Sequence, residues 1–256
     1  MSARSQEELA LLDFAPPERL TLNDQVYNEL RRLIISGQLR PGQSISIRTL
    51  AHVINVSPMP VRSALQRLVT EGALDVQPNR TFALPMLSPE DFREIADLRT
   101  ILEGTAAERG CPHLGRADVA LLKDINRSMF KADRDDWTGY LDLNRQFHFH
   151  IYAAAGMPRL LRFIETLWMQ IGPLLNLVTN REEMRSGLEA HEAAVNAVAA
   201  GDAAGLRAAM TRDIQDAARV IIPGLQRGDF FPTTQSKRKP PPSGSPGSTE
   251  KLERPE

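Results

Sequence analysis

Four residues of the 256-residue chain combine types and spacings suited to holding a cation: Asn144, His148, His191 and Asp213. Asn144 and His148 are four apart, so on a helix their side chains point together. Each of the four interrupts an otherwise apolar stripe. Leu141, Asn144, His148, Ile151 and Ala155 recur at helical spacing, as do Leu188, His191, Val195 and Val198, and Leu206, Met210, Asp213, Ala217 and Val220. Apolar stripes of this period face a helical core, and a polar group buried there must find partners. Two imidazoles, a carboxylate and an amide oxygen meeting in one core satisfy each other by coordinating a divalent ion. The alternative is a hydrogen-bonded polar core without metal, the usual state of core histidines. His150 lies about 200° around the helix from His148, and His52 and His113 have no comparable partners, so none of them joins the set. Cys111 reads as a buried hydrophobe.

The elements that must position these residues are helices. Ser88-Pro89-Glu90-Asp91 opens a helical region, with Ser88 as cap. From there to about Gly228 the pattern predicts six or more helices and no strand. The breaks fall at Cys111-Pro112, Asp133–Asp136, Gly156-Met157-Pro158, Thr179-Asn180 and Gly201-Asp202. Ahead of this bundle lies a smaller unit. Leu22, Val26, Leu30, Leu33 and Ile34 mark a first helix that Gly37 stops. Ile47, Leu50, Ala51 and Ile54 mark a second. Ser57 is placed to cap a third, with Pro58 at its first position and Val61, Ala64, Leu65 and Leu68 buried. Residues 73–85 read as a β-hairpin around Pro78-Asn79-Arg80. The fold class is thus mainly α: a winged helix-turn-helix with a small β-hairpin wing, then an all-α bundle. The divisions are a loose arm over 1–20, the winged unit over 21–86, the helical domain over 88–228 and a disordered tail rich in Pro, Ser, Gly and Lys over 232–256.

Charge fits this division. Residues 22–86 carry seven Lys/Arg against four Asp/Glu, whereas 88–230 carry seventeen against twenty-one. A basic front and an acidic back suit a DNA-facing unit joined to a sensing unit. In a winged helix-turn-helix the third helix enters the major groove and the wing lies along the backbone or in the minor groove. The polar residues placed for this are Arg48, Ser57, Arg62, Arg67, Asn79 and Arg80, with Arg67 also placed to brace the fold. The single cysteine and the lack of a basic-then-apolar leader predict a cytoplasmic protein with no membrane partner.

The front half resembles the DNA-binding domain of the GntR regulators. The carriers are I-x-S-G-x-L-x-P-G at 34–42, L-A-x-x-x-x-V-S at 50–57, P-V-R-x-A-L-x-R-L at 60–68 and E-G-A-L at 71–74. The resemblance implies that Arg48 and Arg62 hold phosphates or reach guanines. It implies that Ser57 contacts the backbone and that the Asn79-Arg80 turn approaches the minor groove. Pro58, Met59 and Ser63 depart from the family pattern. That corner therefore reads fewer guanines, and Met59 is free to pack on a thymine methyl.

The back half resembles the FCD ligand-binding domain of the FadR subgroup, through L-R-x-x-L-E-G at 98–104, N-R-Q-F-H at 144–148, A-A-G-M-P at 154–158, H-E-A-A at 191–194 and G-D-A-A at 201–204. Metal-binding members carry an Asp and a His four apart, then two further histidines. Here the first position is Asn144 and the last is Asp213, so the site keeps two imidazoles and one carboxylate. The resemblance favours a divalent ion (zinc, nickel or manganese) whose open positions receive a small organic acid. Arg99 and Arg145 are the candidate anchors for that acid, unless they pair with acids such as Glu103. The function expected is a ligand-responsive DNA-binding regulator, a repressor acting as a homodimer on a pseudo-palindromic operator. Two alternatives stay open: a hydrolase-like metal domain, and a regulator whose metal is only structural. A hydrolase has no use for a fused winged helix, and no nucleophile elbow or phosphate loop is present.

Overall fold

The computed structural model describes residues 21–131, 137–175 and 181–228. The arm assigned to 1–20, the tail assigned to 232–256 and the breaks expected at 133–136 and Thr179-Asn180 lie outside the described residues.

The first helix, α1 (Leu22–Ile35), is capped by the Thr21 hydroxyl, which accepts from the Asp24 N–H at 3.2 Å. Its buried face is Val26, Tyr27, Leu30, Ile34 and Ile35. Gly37, at φ +65°, turns the chain where a Cβ would be strained. Strand β1 (Ser44–Ile45), helix α2 (Ile47–Val53) and helix α3 (Pro58–Thr70) follow. The four apolar residues expected on the third helix are all buried on α3. Strands β2 (Asp75–Val76) and β3 (Phe82–Ala83) form the hairpin. The expected two-stranded wing is in fact a three-stranded antiparallel sheet ordered β1-β3-β2, with Ile45 opposite Phe82. Two residues of strand give no alternation to read, which is why β1 has no signature in the sequence.

The second unit comprises, among the described residues, α4 (Pro89–Gly110), a short 3₁₀ turn at Cys111–His113, α5 (Arg116–Lys131), α6 (Trp137–Ala153), α7 (Pro158–Leu175), α8 (Arg181–Ala200) and α9 (Ala203–Arg227). Helix α4 starts with a full capping box. Ser88 accepts from the Asp91 N–H, and Asp91 accepts from the Ser88 N–H at 2.9 Å. Helix α9 packs most extensively on α4 and α8, and α6 lies against α4, α5 and α7. One core runs through both units, from Ile34 and Leu65 to Phe147, Trp168 and Met210. A smaller cluster of Phe92, Ile95, Ile171, Leu174, Ile221 and Leu225 closes the end where α4 and α9 meet α7. No described helix is long and apolar enough to cross a membrane.

Candidate metal centre and DNA-reading face

Helices α6, α8 and α9 bring His148, His191 and Asp213 together, with one ligand atom from each lying within 4.8 Å of the others. Their Nε2 atoms face the carboxylate. His148 Nε2 is 3.3 Å from Asp213 Oδ2, His191 Nε2 is 3.8 Å from Asp213 Oδ1, and the two Nε2 atoms are 3.1 Å apart. Both imidazoles are fully buried. Asn144 lines the same cavity one turn before His148.

A chain of hydrogen bonds behind His148 decides which of its nitrogens is bare. Arg99 holds Glu103 with two bonds, Nε to Oε1 at 2.5 Å and Nη2 to Oε2 at 3.2 Å. The Tyr152 hydroxyl donates to Glu103 Oε2 at 2.6 Å. Its oxygen therefore accepts from His148 Nδ1, 2.9 Å away. With the proton on Nδ1, Nε2 turns a lone pair toward Asp213 and His191. Lone pairs meeting a carboxylate at this range need a cation or a proton between them. Such an outer chain is how a metal-binding imidazole is oriented. The donor set, two imidazoles and one carboxylate, suits a borderline divalent ion.

Electrostatics agree. Burial, only partly offset by Asp213, pushes His191 down to about 4, so it is neutral and able to ligate at pH 7. Burial pushes the Asp213 carboxyl up, but its contact with His148 and the nearby His191 and Arg99 more than offset this and hold it below the usual carboxylate range. Phe147 stacks on the His191 ring at 4.2 Å and fixes its plane.

Above the cluster opens a cavity of about 80 Å³, lined among others by Arg99, Tyr140, Asn144, His148, Trp168 and Asp213. Arg99 is thus both a cavity wall and the partner of Glu103. Arg145 does not line it. It lies one residue beyond Asn144, about 100° around α6, and pairs instead with Asp142 at 3.3 Å. The expectation that Arg145 anchors a ligand is corrected accordingly. His150 pairs with Asp118 at 2.8 Å, away from the cluster, and Cys111 is buried. Tyr152 and Trp168 escaped the sequence reading because aromatic residues on apolar stripes read as plain core.

On the DNA-reading unit, Arg48, Ser57, Met59, Arg62, Asn79 and Arg80 are all exposed. Arg48, Arg62 and Arg80 form no ion pair among the described residues. Met59 is 70% exposed at the start of α3, an unusual place for a methionine without a partner. Arg67 is committed to the fold. Its guanidinium stacks 3.6 Å from the Tyr27 ring and pairs with Glu71 at 3.1 Å. Ser57 occupies the cap position of α3, but its hydroxyl makes no cap bond. Pro60 removes the N–H at the third helical position, one of the two donors such a cap uses.

In the wing, Asn79 Oδ1 accepts from the Thr81 N–H and hydroxyl, so that oxygen shapes the turn. Arg80 sits at φ +60°. Left-handed backbone costs a residue with a Cβ about 1 kcal/mol, which glycine avoids. Arg80→Gly is therefore expected to raise stability by about 1 kcal/mol and to weaken DNA binding. Thermal melts and polarisation titrations with a duplex selected by the protein from a random pool check both halves. A more stable variant with undiminished affinity takes Arg80 off the DNA.

Comparison with known proteins agrees with this architecture. Residues 22–84 match the family described as bacterial regulatory proteins, gntR family, and residues 94–216 match the FCD domain. The HTH-type transcriptional regulator McbR of Escherichia coli (strain K12) is 30% identical over 214 residues, covering 82% of this chain and 97% of McbR. The chain belongs to the GntR family. The solved structure of E. coli McbR/YncC superposes on this GntR regulator with a TM-score of 0.74, covering 82% of the chain and all of McbR. LutR of Bacillus subtilis (strain 168) is 28% identical over 216 residues, 74% of this chain and 96% of LutR. RspR of E. coli (strain K12), named a transcriptional repressor, is 25% identical over 128 residues, 50% of this chain and 56% of RspR. These relatives are all transcriptional regulators, so the chain is a regulator with a DNA-binding and an effector-binding domain, and the hydrolase alternative falls away.

Proposed function

We propose that this regulator is a homodimeric repressor whose C-terminal domain binds a small organic acid through a divalent ion held by His148, His191 and Asp213, with Asn144 as a weak fourth ligand. The observation that carries this is the convergence of three ligand atoms from three helices at the wall of a cavity that Arg99 also lines. When bound, the ion supplies a Lewis-acid face for a carboxylate. Arg99 then places positive charge on the same cavity wall. Asp213, 16% exposed at its side chain, leaves the cluster open on that side, which favours sensing over a closed structural site. The repressor role follows the name of RspR, and dimerisation follows the short reach of one winged helix, which two-fold symmetry doubles.

Elemental analysis of protein purified without chelator is expected to find one divalent ion per chain. Ion and proton compete for the same imidazole lone pairs, and His191 resists protonation until about pH 4, so occupancy is expected to hold at neutral pH and to fall as pH drops toward 4. The stripped protein follows the same window. His191 is held below its unfolded value, so its contribution is intact above about 6.5 and is lost as pH falls toward 4, by up to about 3 kcal/mol. Absence of metal on the purified and the re-titrated protein at every pH from about 6 to 8 reduces the cluster to a hydrogen-bonded polar core.

On the DNA side, Arg62→Ala is expected to weaken operator binding by more than about 1 kcal/mol, and Arg48→Ala to weaken it more evenly across sequences. A folded Arg62→Ala protein with wild-type affinity in polarisation titrations returns Arg62 to ordinary surface charge.

A further inference from the structure

Trp168 is 1% exposed, lines the cavity beside the cluster, and its Nε1–H has no hydrogen-bond partner among the described residues. Its ring lies 5.1 Å from His148, and the Arg99 guanidinium sits 4.9 Å from it. A buried donor left unpaired is destabilising. The same helix carries the contacts to the DNA-reading unit. Glu165 pairs with Arg31 of α1. A Cβ on Gly172 would fall 2.7 Å from the Ile34 and Ile35 carbonyl oxygens, so α7 touches the end of α1 backbone to backbone. Gln170 reaches the Gly72 turn, where a Cβ would lie 3.1 Å from its Nε2. That turn closes the recognition helix α3. Pro173 sits inside α7 and lacks the N–H that would bond the Met169 carbonyl, so one helical bond is missing beside this seam.

We propose that Trp168 is the residue through which the regulator reads its acid: the indole N–H donates to an oxygen of the bound carboxylate, and the accompanying shift of α7 is passed to the ends of α1 and α3 at Gly172 and Gln170. This rests on the effector reading given above. The bond links binding to movement because Nε1 has almost no free surface in the present arrangement. An acid reaches it only if the ring or the helix moves. The arrangement with that bond made therefore has the higher acid affinity, and a ligand shifts a two-state equilibrium only through such a difference. Trp168 is a binding residue separate from the metal ligands, and Arg99, tied to Glu103, supplies charge without needing to move.

The test uses the full-length, zinc-loaded protein, titrated calorimetrically with acetate, succinate and citrate, with hydrogen exchange followed at residues 33–38 and 69–73. The wild type is expected to bind at least one acid and to change exchange at both segments. Trp168→Phe is expected to keep its zinc, to lose at least about tenfold in acid affinity and to lose the exchange change. Equal acid affinity with an equal exchange change in that variant overturns the proposal. Glu165→Gln, an isosteric change at a half-buried ion pair, tests the transmission even if Trp168→Phe folds poorly. Unchanged acid affinity with a smaller response at 33–38 supports it, and an undiminished response overturns it. If the wild type binds none of the three acids, the effector reading itself fails and this inference falls with it. If it binds one and exchange at 33–38 and 69–73 does not change, only the inference fails.

Discussion

Replacing Glu103 with alanine will destabilise the protein by about 3–5 kcal/mol, the cost of stranding a buried charge. Glu103 and Arg99 are both essentially out of water, at 0% and 4% exposure. Arg99 would keep its charge with no partner for Nε and Nη2. Tyr152 would lose its acceptor, and its hydroxyl would be free to donate toward His148 instead, releasing the proton arrangement that leaves Nε2 bare. The loss should therefore be felt twice, as a lower melting temperature and as weaker ion binding. Glu90→Ala is the control, since its pair with Arg93 is exposed and such pairs contribute about 1 kcal/mol or less. Chemical denaturation of both variants checks the contrast. A loss below about 1 kcal/mol for Glu103→Ala means the Arg99 charge finds water, and the site is far wetter than its packing indicates.

His148→Ala will abolish ion binding. It removes the ligand that lies nearest to both others, and it leaves His191 beside a hole. The melting temperature should fall with it, because an ion bound only by the folded state stabilises that state by mass action. Asn144→Asp should move the other way. It adds a carboxylate to the cavity wall one turn from His148, and a carboxylate is a stronger ligand than an amide for these ions. Calorimetric titration of stripped protein with zinc orders the three: the aspartate variant tightest, the wild type next, the alanine variant silent. Metal binding by His148→Ala at wild-type affinity would move the ion elsewhere in the chain.

Much of this is legible in the amino-acid sequence. Val61, Ala64, Leu65 and Leu68 announce the third helix by period alone, and all four are buried there. The His148, His191 and Asp213 cluster was legible for a different reason. Polar residues on apolar stripes have few ways to be satisfied, and three helices of one bundle can share a solution. The misses have the opposite character. Arg145 follows Asn144 directly in sequence, but one residue of helix turns a side chain by about 100°, enough to take it from the cavity to Asp142. Of the two roles open to Arg67 in the sequence, bracing the fold is the one its contacts serve, through Tyr27 forty residues earlier, a partner the motif does not name. Trp168 and Tyr152 matter because of what faces them across helix packing, and no local pattern records that.

The two prolines that open the recognition helix carry a consequence for ionic strength. Helix N-termini commonly hold a phosphate through free N–H groups, a contact made by the main chain and indifferent to side-chain identity. Here Pro58 and Pro60 remove two of those donors. Attraction to the DNA backbone then rests on mobile cationic side chains such as Arg48 and Arg62, and each phosphate they neutralise releases condensed counterions. Because the contacts removed are the uncharged main-chain ones, the affinity that remains is expected to be carried by cationic side chains and to fall steeply as salt is added.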